Sequence, residues 1–269
     1  MSMIDFEDDQ FITIESIVIV FSALLFTLIN RLLFCLQSRL RSDHKLFDDR
    51  IALESYRIWK WRNIVVSLIH STISGIISLY LSFENNHLRL SGSSKMVPSR
   101  NLLDRKRCIC FSIGYFLYDS LLSIANYRKY PDRLEIIIHH LITTITLGQI
   151  FCPIIRVRFP KLIDYCSYGL VIEISNIFIH IRSLGYISDF WSNNLLLFKL
   201  NSFLAIVSIF LFRFHPLLWI WFDLYRNNNN TNNNNNNSSK ETIRFFYLLT
   251  SFPMIAFILI SAVILRRIL

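Results

Sequence analysis

At 269 residues, 53% of them hydrophobic and with a mean hydropathy of +0.41, the chain is too apolar for an ordinary water-soluble domain. A formal charge of +9 raises nucleic acid as a partner, but the Lys and Arg residues are spread over short loops beside apolar runs. That distribution belongs to membrane flanks facing anionic headgroups, so nucleic acid is excluded and an all-α polytopic membrane bundle is expected.

The N-terminus is acidic and has no Lys or Arg before the first apolar run, 11–36, so a retained span is expected rather than a cleaved signal peptide. With the basic loop after it, this span forms an expected N-terminal anchor unit, 1–50. The loop closes on Trp59, Lys60, Trp61 and Arg62, a composition that marks a water–lipid boundary. In the second span, 63–83, Asn63, Ser67, His70 and Ser74 recur at helical spacing and share one inward face, leaving Ile69, Ile73 and Ile77 for lipid. His70 reads either as a lining residue or as a satisfied histidine within serine-mediated helix packing.

The third span, 107–125, sets Tyr115 one turn from Asp119, so the phenol is expected to hold that carboxylate. The fourth, 134–149, contains His139 and His140, which diverge by about 100° on a helix and point to different neighbours. His140, Thr143 and Thr144 share a face. In the fifth span, 162–184, Glu173, Asn176 and His180 lie on one face, His180 being expected as an interhelical packing partner. The sixth, 194–222, carries Arg213 just before Pro216, which is expected to bend the helix. Arg213 is expected to pair with Glu173 or Asp119, or to snorkel.

An asparagine tract at 227–239 is expected to be disordered and offers glycosylation acceptor patterns at its two ends. A seventh span, 243–265, ends in a short basic tail, 263–269. The basic first loop and the tail favour an exterior N-terminus. The five cysteines include no CxxC pair and read as reduced packing residues. The histidine spacings lack HExxH or a repeated HxxxH, so no metal is expected.

Ionisable groups inside apolar spans are costly and mark functional interiors. His139, His140, Asp119 and Glu173 are therefore the candidate catalytic groups, with His70, Tyr115, Thr143, Asn176 and Arg213 as candidate lining residues. The alternative is that these polar groups serve only to join helices.

Four blocks, IWKWRNIVVSLIHSTISG from Ile58, FSIGYFLYDS from Phe111, LEIIIHHLITT from Leu134 and LVIEISNIFIHIR from Leu170, together with SIFLFRFHP from Ser208, resemble the TLC domain. This membrane module is shared by translocating-chain-associated proteins, ceramide synthases and smaller relatives, and the likeness is strongest to the smaller TLC domain-containing proteins. The resemblance covers about 51–262 and implies a six-helix core enclosing a membrane cavity, with the first span as an addition. It implies lipid chemistry or lipid control. Ceramide synthases use a histidine pair matching His139 and His140 in acyl transfer from acyl-CoA. Their later His-Asp and second Asp correspond here to Ile172, Glu173 and Asn176, so that apparatus is incomplete.

Three functions follow as expectations. The first is regulation of phospholipid composition and fluidity at the plasma membrane, limiting polyunsaturated chain incorporation, with a phospholipid or acyl chain as the partner and no cofactor. The endoplasmic reticulum is the alternative location. The second is an acyltransferase of ceramide-synthase type, with acyl-CoA as substrate. The third is a small-molecule or lipid transporter, ranked last because no inverted repeat is visible.

Overall fold

A bilayer leaves no water for unpaired backbone groups, so apolar spans become helices. The computed structural model describes residues 3–41, 48–90, 99–126, 134–153, 155 and 161–232, and all the regular structure among them is helical. In chain order the helices are α1 (Met3–Arg41), α2 (Asp48–Leu90), α3 (Ser99–Ala125), α4 (Leu134–Gly148), α5 (Leu162–Gly169), α6 (Glu173–Ile187), α7 (Phe190–Asn193), α8 (Leu195–Ile209) and α9 (His215–Asn232). Five stretches, Ile14–Ser38, Ser55–Glu84, Leu102–Ala125, Leu162–Ile187 and Leu195–Asp223, are long and apolar enough to cross a membrane. Ile136–Phe151 is shorter. The expected seventh span at 243–265, the basic tail and the rest of the asparagine tract, 233–239, lie outside the described residues. The beginning of that tract is helical, because α9 continues to Asn232. Extending an existing helix needs no new nucleus.

Helices α2 and α3 run antiparallel along a ladder of small polar side chains. Tyr115 OH donates to Ser67 Oγ (2.8 Å), Ser74 and Ser112 join through their hydroxyls (3.0 Å), and Ser78 meets the Cys108 thiol (3.5 Å). At the end of the ladder Arg105 donates to the Leu81 carbonyl (2.9 Å) and pairs with Asp164 of α5. Small residues at these positions let the backbones approach and supply the interhelical bonds a bilayer rewards. The inward face expected for α2 is found, Asn63, His70 and Ser74 being buried and Ile73 and Ile77 exposed, but Ile69, expected towards lipid, packs partly against the core.

The first span, expected as an added anchor, packs against the bundle along one face. Helix α1 runs alongside α3 in the same direction, with Ser22 Oγ donating to the Phe111 carbonyl (2.7 Å) and Glu15 accepting from the Cys110 thiol (3.2 Å). Gly114 permits this approach: a Cβ there would lie 2.4 Å from the Ile19 carbonyl oxygen. Phe26 is fully buried in the same core as Cys108, Ile109, Tyr115 and Phe116.

The fifth span is not one continuous α-helix. A 3-10 turn at Leu170–Ile172 separates α5 from α6, and a π-helical turn at Phe210–Phe214 separates α8 from α9. These two turns touch each other across the bundle. The π turn sits immediately before Pro216, whose missing N–H and ring disrupt regular α-helical bonding. At one end Arg57 donates to the Ile187 carbonyl and to Asp189 (2.7 Å each), and Asp189 adopts a left-handed backbone at φ 56°. At the other, Asp223 accepts from Lys161 (3.0 Å) and Tyr165 (2.5 Å).

Candidate functional site

Two polar centres are buried between the helices. In the first, His140 Nδ1 of α4 lies 3.1 Å from Asp119 Oδ2 of α3, both side chains being almost fully enclosed. The approach is at ion-pair distance, and His140 Nδ1 makes no hydrogen bond among the described residues. The His139 ring is 5.4 Å from that of His140, centroid to centroid, at 49° between planes. Neighbouring helix positions therefore send the two imidazoles to different surroundings, as the helical period requires.

The second centre gathers on Glu173. Its Oε2 accepts from Ser71 (2.7 Å) and from the Asn176 amide (2.8 Å), and lies 3.9 Å from His70 Nδ1. Arg213, buried in the π turn, donates to Ser175 Oγ (2.6 Å) and to Asn176 Oδ1. The carboxylate is thus held by two donors and tied through an amide to a guanidinium, the arrangement that makes a charged group tolerable in low dielectric. Gly75 brings α2 onto this centre, since a Cβ there would be 2.9 Å from Ile174 Cγ1.

Aromatic rings join the centres. The His70 ring stacks on Tyr115 at 3.8 Å, and Phe116 contacts both His70 (5.2 Å) and His140 (5.1 Å). Phe26, from the first span, meets His70 and Tyr115 edge-on. Neither nitrogen of His70 has a hydrogen-bond partner among the described residues, and its Nδ1 faces the Glu173 carboxylate at 3.9 Å.

Of the nine candidates, Asp119, His140 and His139 assemble at one centre, Glu173, Asn176, Arg213 and His70 at the other, with Tyr115 between them. One expected contact differs. Tyr115 bonds Ser67 instead of Asp119, because its ring lies on the α2 side of α3. Thr143 donates to the His139 carbonyl one turn back, a local bond always within reach of a helical threonine. Arg213 turns inward to the Glu173 centre, one of its expected alternatives, bonding Ser175 and Asn176 and feeling the charge of Glu173. Ser71, Ser175, Glu15 and Phe26 went unrecognised in the sequence. An acid inside an apolar run was a usable signal for Glu15, whereas serines beside His70 and Asn176 carry none of their own. No group of three or more His, Cys, Asp or Glu side chains is placed to hold a metal among the described residues.

The TLC domain family model matches residues 60–268. The chain is 30% identical over 166 residues to TLC domain-containing protein 1 of Mus musculus, covering 62% of each chain. It is 32% identical over 160 residues to the Gallus gallus protein of the same name, covering 60% of this chain and 58% of that one. With TLC domain-containing protein 2 of Danio rerio it shares 25% identity over 171 residues, 63% of this chain and 64% of that protein. The match thus spans less than two thirds of these curated relatives. No solved structure matches the chain.

Proposed function

The chain belongs to the TLC domain family, and from that premise we propose that it regulates the phospholipid composition, and hence the fluidity, of the plasma membrane by engaging a phospholipid or acyl chain between its helices. The regulation limits incorporation of polyunsaturated chains. The observation that carries this reading is the enclosed contact of His140 with Asp119 at 3.1 Å, a pair of ionisable groups held inside apolar spans. Burying such groups away from water is costly enough that a purely architectural bundle has little reason to retain them. The test is a phospholipid profile of cells with and without the protein, repeated with His140→Ala and Asp119→Asn at matched expression. A shift in polyunsaturated content that disappears in either variant is expected. A shift that survives both reduces the pair to architecture, and an unchanged profile with correctly located wild-type protein removes the reading.

The same contact favours a second reading, acyl transfer. His140, oriented by Asp119, takes the proton of an acceptor hydroxyl or amine as that atom attacks the thioester carbonyl of an acyl-CoA. The carbon–sulfur bond breaks, and the thiol of coenzyme A leaves with the proton. Glu173, held by Ser71 and Asn176, takes a positioning role for His70 in this scheme. Purified protein given labelled acyl-CoA and lipid acceptors distinguishes the readings: labelled product lost in His140→Ala supports transfer, and equal turnover in that variant excludes His140 from it.

A further inference from the structure

Between the Asp119–His140 pair and the end of the bundle bearing Trp59 and Arg62 lies a group of polar atoms that neither centre uses. Asn63 is 2% exposed, and neither its amide oxygen nor its amide nitrogen has a hydrogen-bond partner among the described residues. The Ser123 hydroxyl, on a fully buried side chain, is in the same condition, and the Asn30 amide, whose side-chain oxygen has no partner among the described residues, lies beside Tyr118. The helix ladder places them together. With Tyr115 on Ser67 and Ser112 on Ser74, the next turn of α2 sets Asn63 opposite 119–123 of α3. Asn30 lies one turn beyond Phe26, whose ring meets Tyr115 and Tyr118. A wholly buried primary amide with both functions unpaired is rare in folded proteins, and such groups ordinarily meet a water or a ligand.

The surroundings say which ligand. After a first turn of Asp48, Asp49 and Arg50, residues 54–62 of α2 carry Arg57, Lys60 and Arg62 against Glu54, with Arg57 paired to Asp189, at the boundary marked by Trp59 and Trp61. That setting attracts anionic headgroups. An amide offers a donor and an acceptor together, so an occupant that satisfies Asn63 must bring both. Phosphate oxygens accept, and a headgroup hydroxyl or ammonium donates. A choline headgroup has no such donor.

We infer that Asn63, with Asn30 and Ser123, forms a hydrated pocket for the headgroup of an anionic phospholipid that carries a hydrogen-bond donor, reached from the Trp59–Arg62 end of the bundle. The inference deepens the phospholipid reading above and rests on it for its biological meaning. Lipid bound here lies directly above Asp119, so headgroup recognition and the ionisable pair belong to one path.

The test uses full-length Asn63→Cys and Val66→Cys proteins in phosphatidylcholine vesicles and a small anionic methanethiosulfonate, with labelling read by peptide mass spectrometry at the substituted position, so that the five native cysteines do not intrude. Val66 is equally buried but sits in the apolar core. Labelling is expected at position 63 and not at position 66, and replacing part of the phosphatidylcholine with phosphatidylglycerol is expected to slow it. Position 63 as inert as position 66 overturns the pocket. Labelling that ignores phosphatidylglycerol overturns the ligand. A second measurement needs no cysteine variant: phosphatidylglycerol retained by the wild-type protein in native mass spectrometry is expected to bind about tenfold more weakly to Asn63→Leu, the loss of one hydrogen bond to a charged group. Equal retention overturns the proposal. Because both readouts are taken on vesicle or detergent samples, a bound headgroup with an unchanged cellular lipid profile would retain the pocket and remove only the compositional reading.

Discussion

Ser22 lies against Gly114 so closely that a Cβ on the glycine would stand 2.6 Å from the serine Cβ. The first span can meet α3 this way only because position 114 has no side chain, and the contact brings Phe26 over His70 and Tyr115. Gly114→Leu is therefore expected to push α1 off α3 and cost about 1–3 kcal/mol through overpacking. Gly148, where an added Cβ would meet nothing within 4 Å, is the control. Thermal unfolding in vesicles of the two substitutions checks this, and equal melting would show that α1 is a loose attachment.

The Asp119–His140 contact is expected to behave as a coupled pair. A double-mutant cycle of Asp119→Asn and His140→Ala should return an interaction energy of about 0.5–3 kcal/mol in unfolding, since the groups touch in a place screened from water. Additive single effects would mean that the two merely occupy adjacent space.

Tyr115→Phe separates architecture from function. It removes the bond to Ser67 while leaving the stacked ring beside His70. A loss of about 1 kcal/mol in stability is expected, with the cellular phospholipid profile retained. A profile abolished by this change alone would place the phenol among the functional groups.

Arg213→Leu leaves Asn176 and Ser175 without their donor and withdraws the cation nearest Glu173. A cost of about 3–5 kcal/mol is expected, as for breaking one side of a buried ionic network. Arg213→Lys is not expected to restore it, because one ammonium does not reproduce a guanidinium fork that reaches both Ser175 Oγ and Asn176 Oδ1. Full recovery by lysine, measured by unfolding midpoint, would reduce the residue to a point charge.

At the exposed turn after α6, Asp189 holds φ 56° and an ion pair with Arg57 in which both side chains are well exposed. Such a pair contributes about 0–1 kcal/mol, and glycine relieves the left-handed backbone, so Asp189→Gly should be close to neutral. Asp189→Val is expected to cost about 1–3 kcal/mol, because a β-branched residue is strained there. Denaturation midpoints of the two variants decide the matter.

What could be read from the sequence depended on contrast. Asn63, Ser67, His70 and Ser74 stood out against apolar neighbours, and their spacing was enough to identify the inward face of α2. Glu173, Asn176 and Arg213 were visible for the same reason, and they do gather around one centre. Partners were much less legible. Whether Tyr115 turns toward Asp119 or Ser67 depends on how α2 and α3 rotate against each other, which the composition of either helix leaves open. The face by which the first span packs on α3 was not legible, because its contacts are made at one glycine on another helix and by Phe26, an aromatic residue indistinguishable by type from those facing lipid.

The 3-10 turn at Leu170–Ile172 and the π turn at Phe210–Phe214 face each other on antiparallel spans. One winds its helix tighter and lengthens it, and the other winds its partner looser and shortens it. Below this level α8 meets α6 through Asn201 and Phe178, and above it α9 meets α5 through Asp223 and Tyr165. The two irregularities act as a phase joint: each half of the pair keeps its own registration, and the change of phase falls within the π turn that carries Arg213. A one-residue insertion or deletion within 210–214 therefore changes the angular address of the cation, while both flanking interfaces have the means to stay in step.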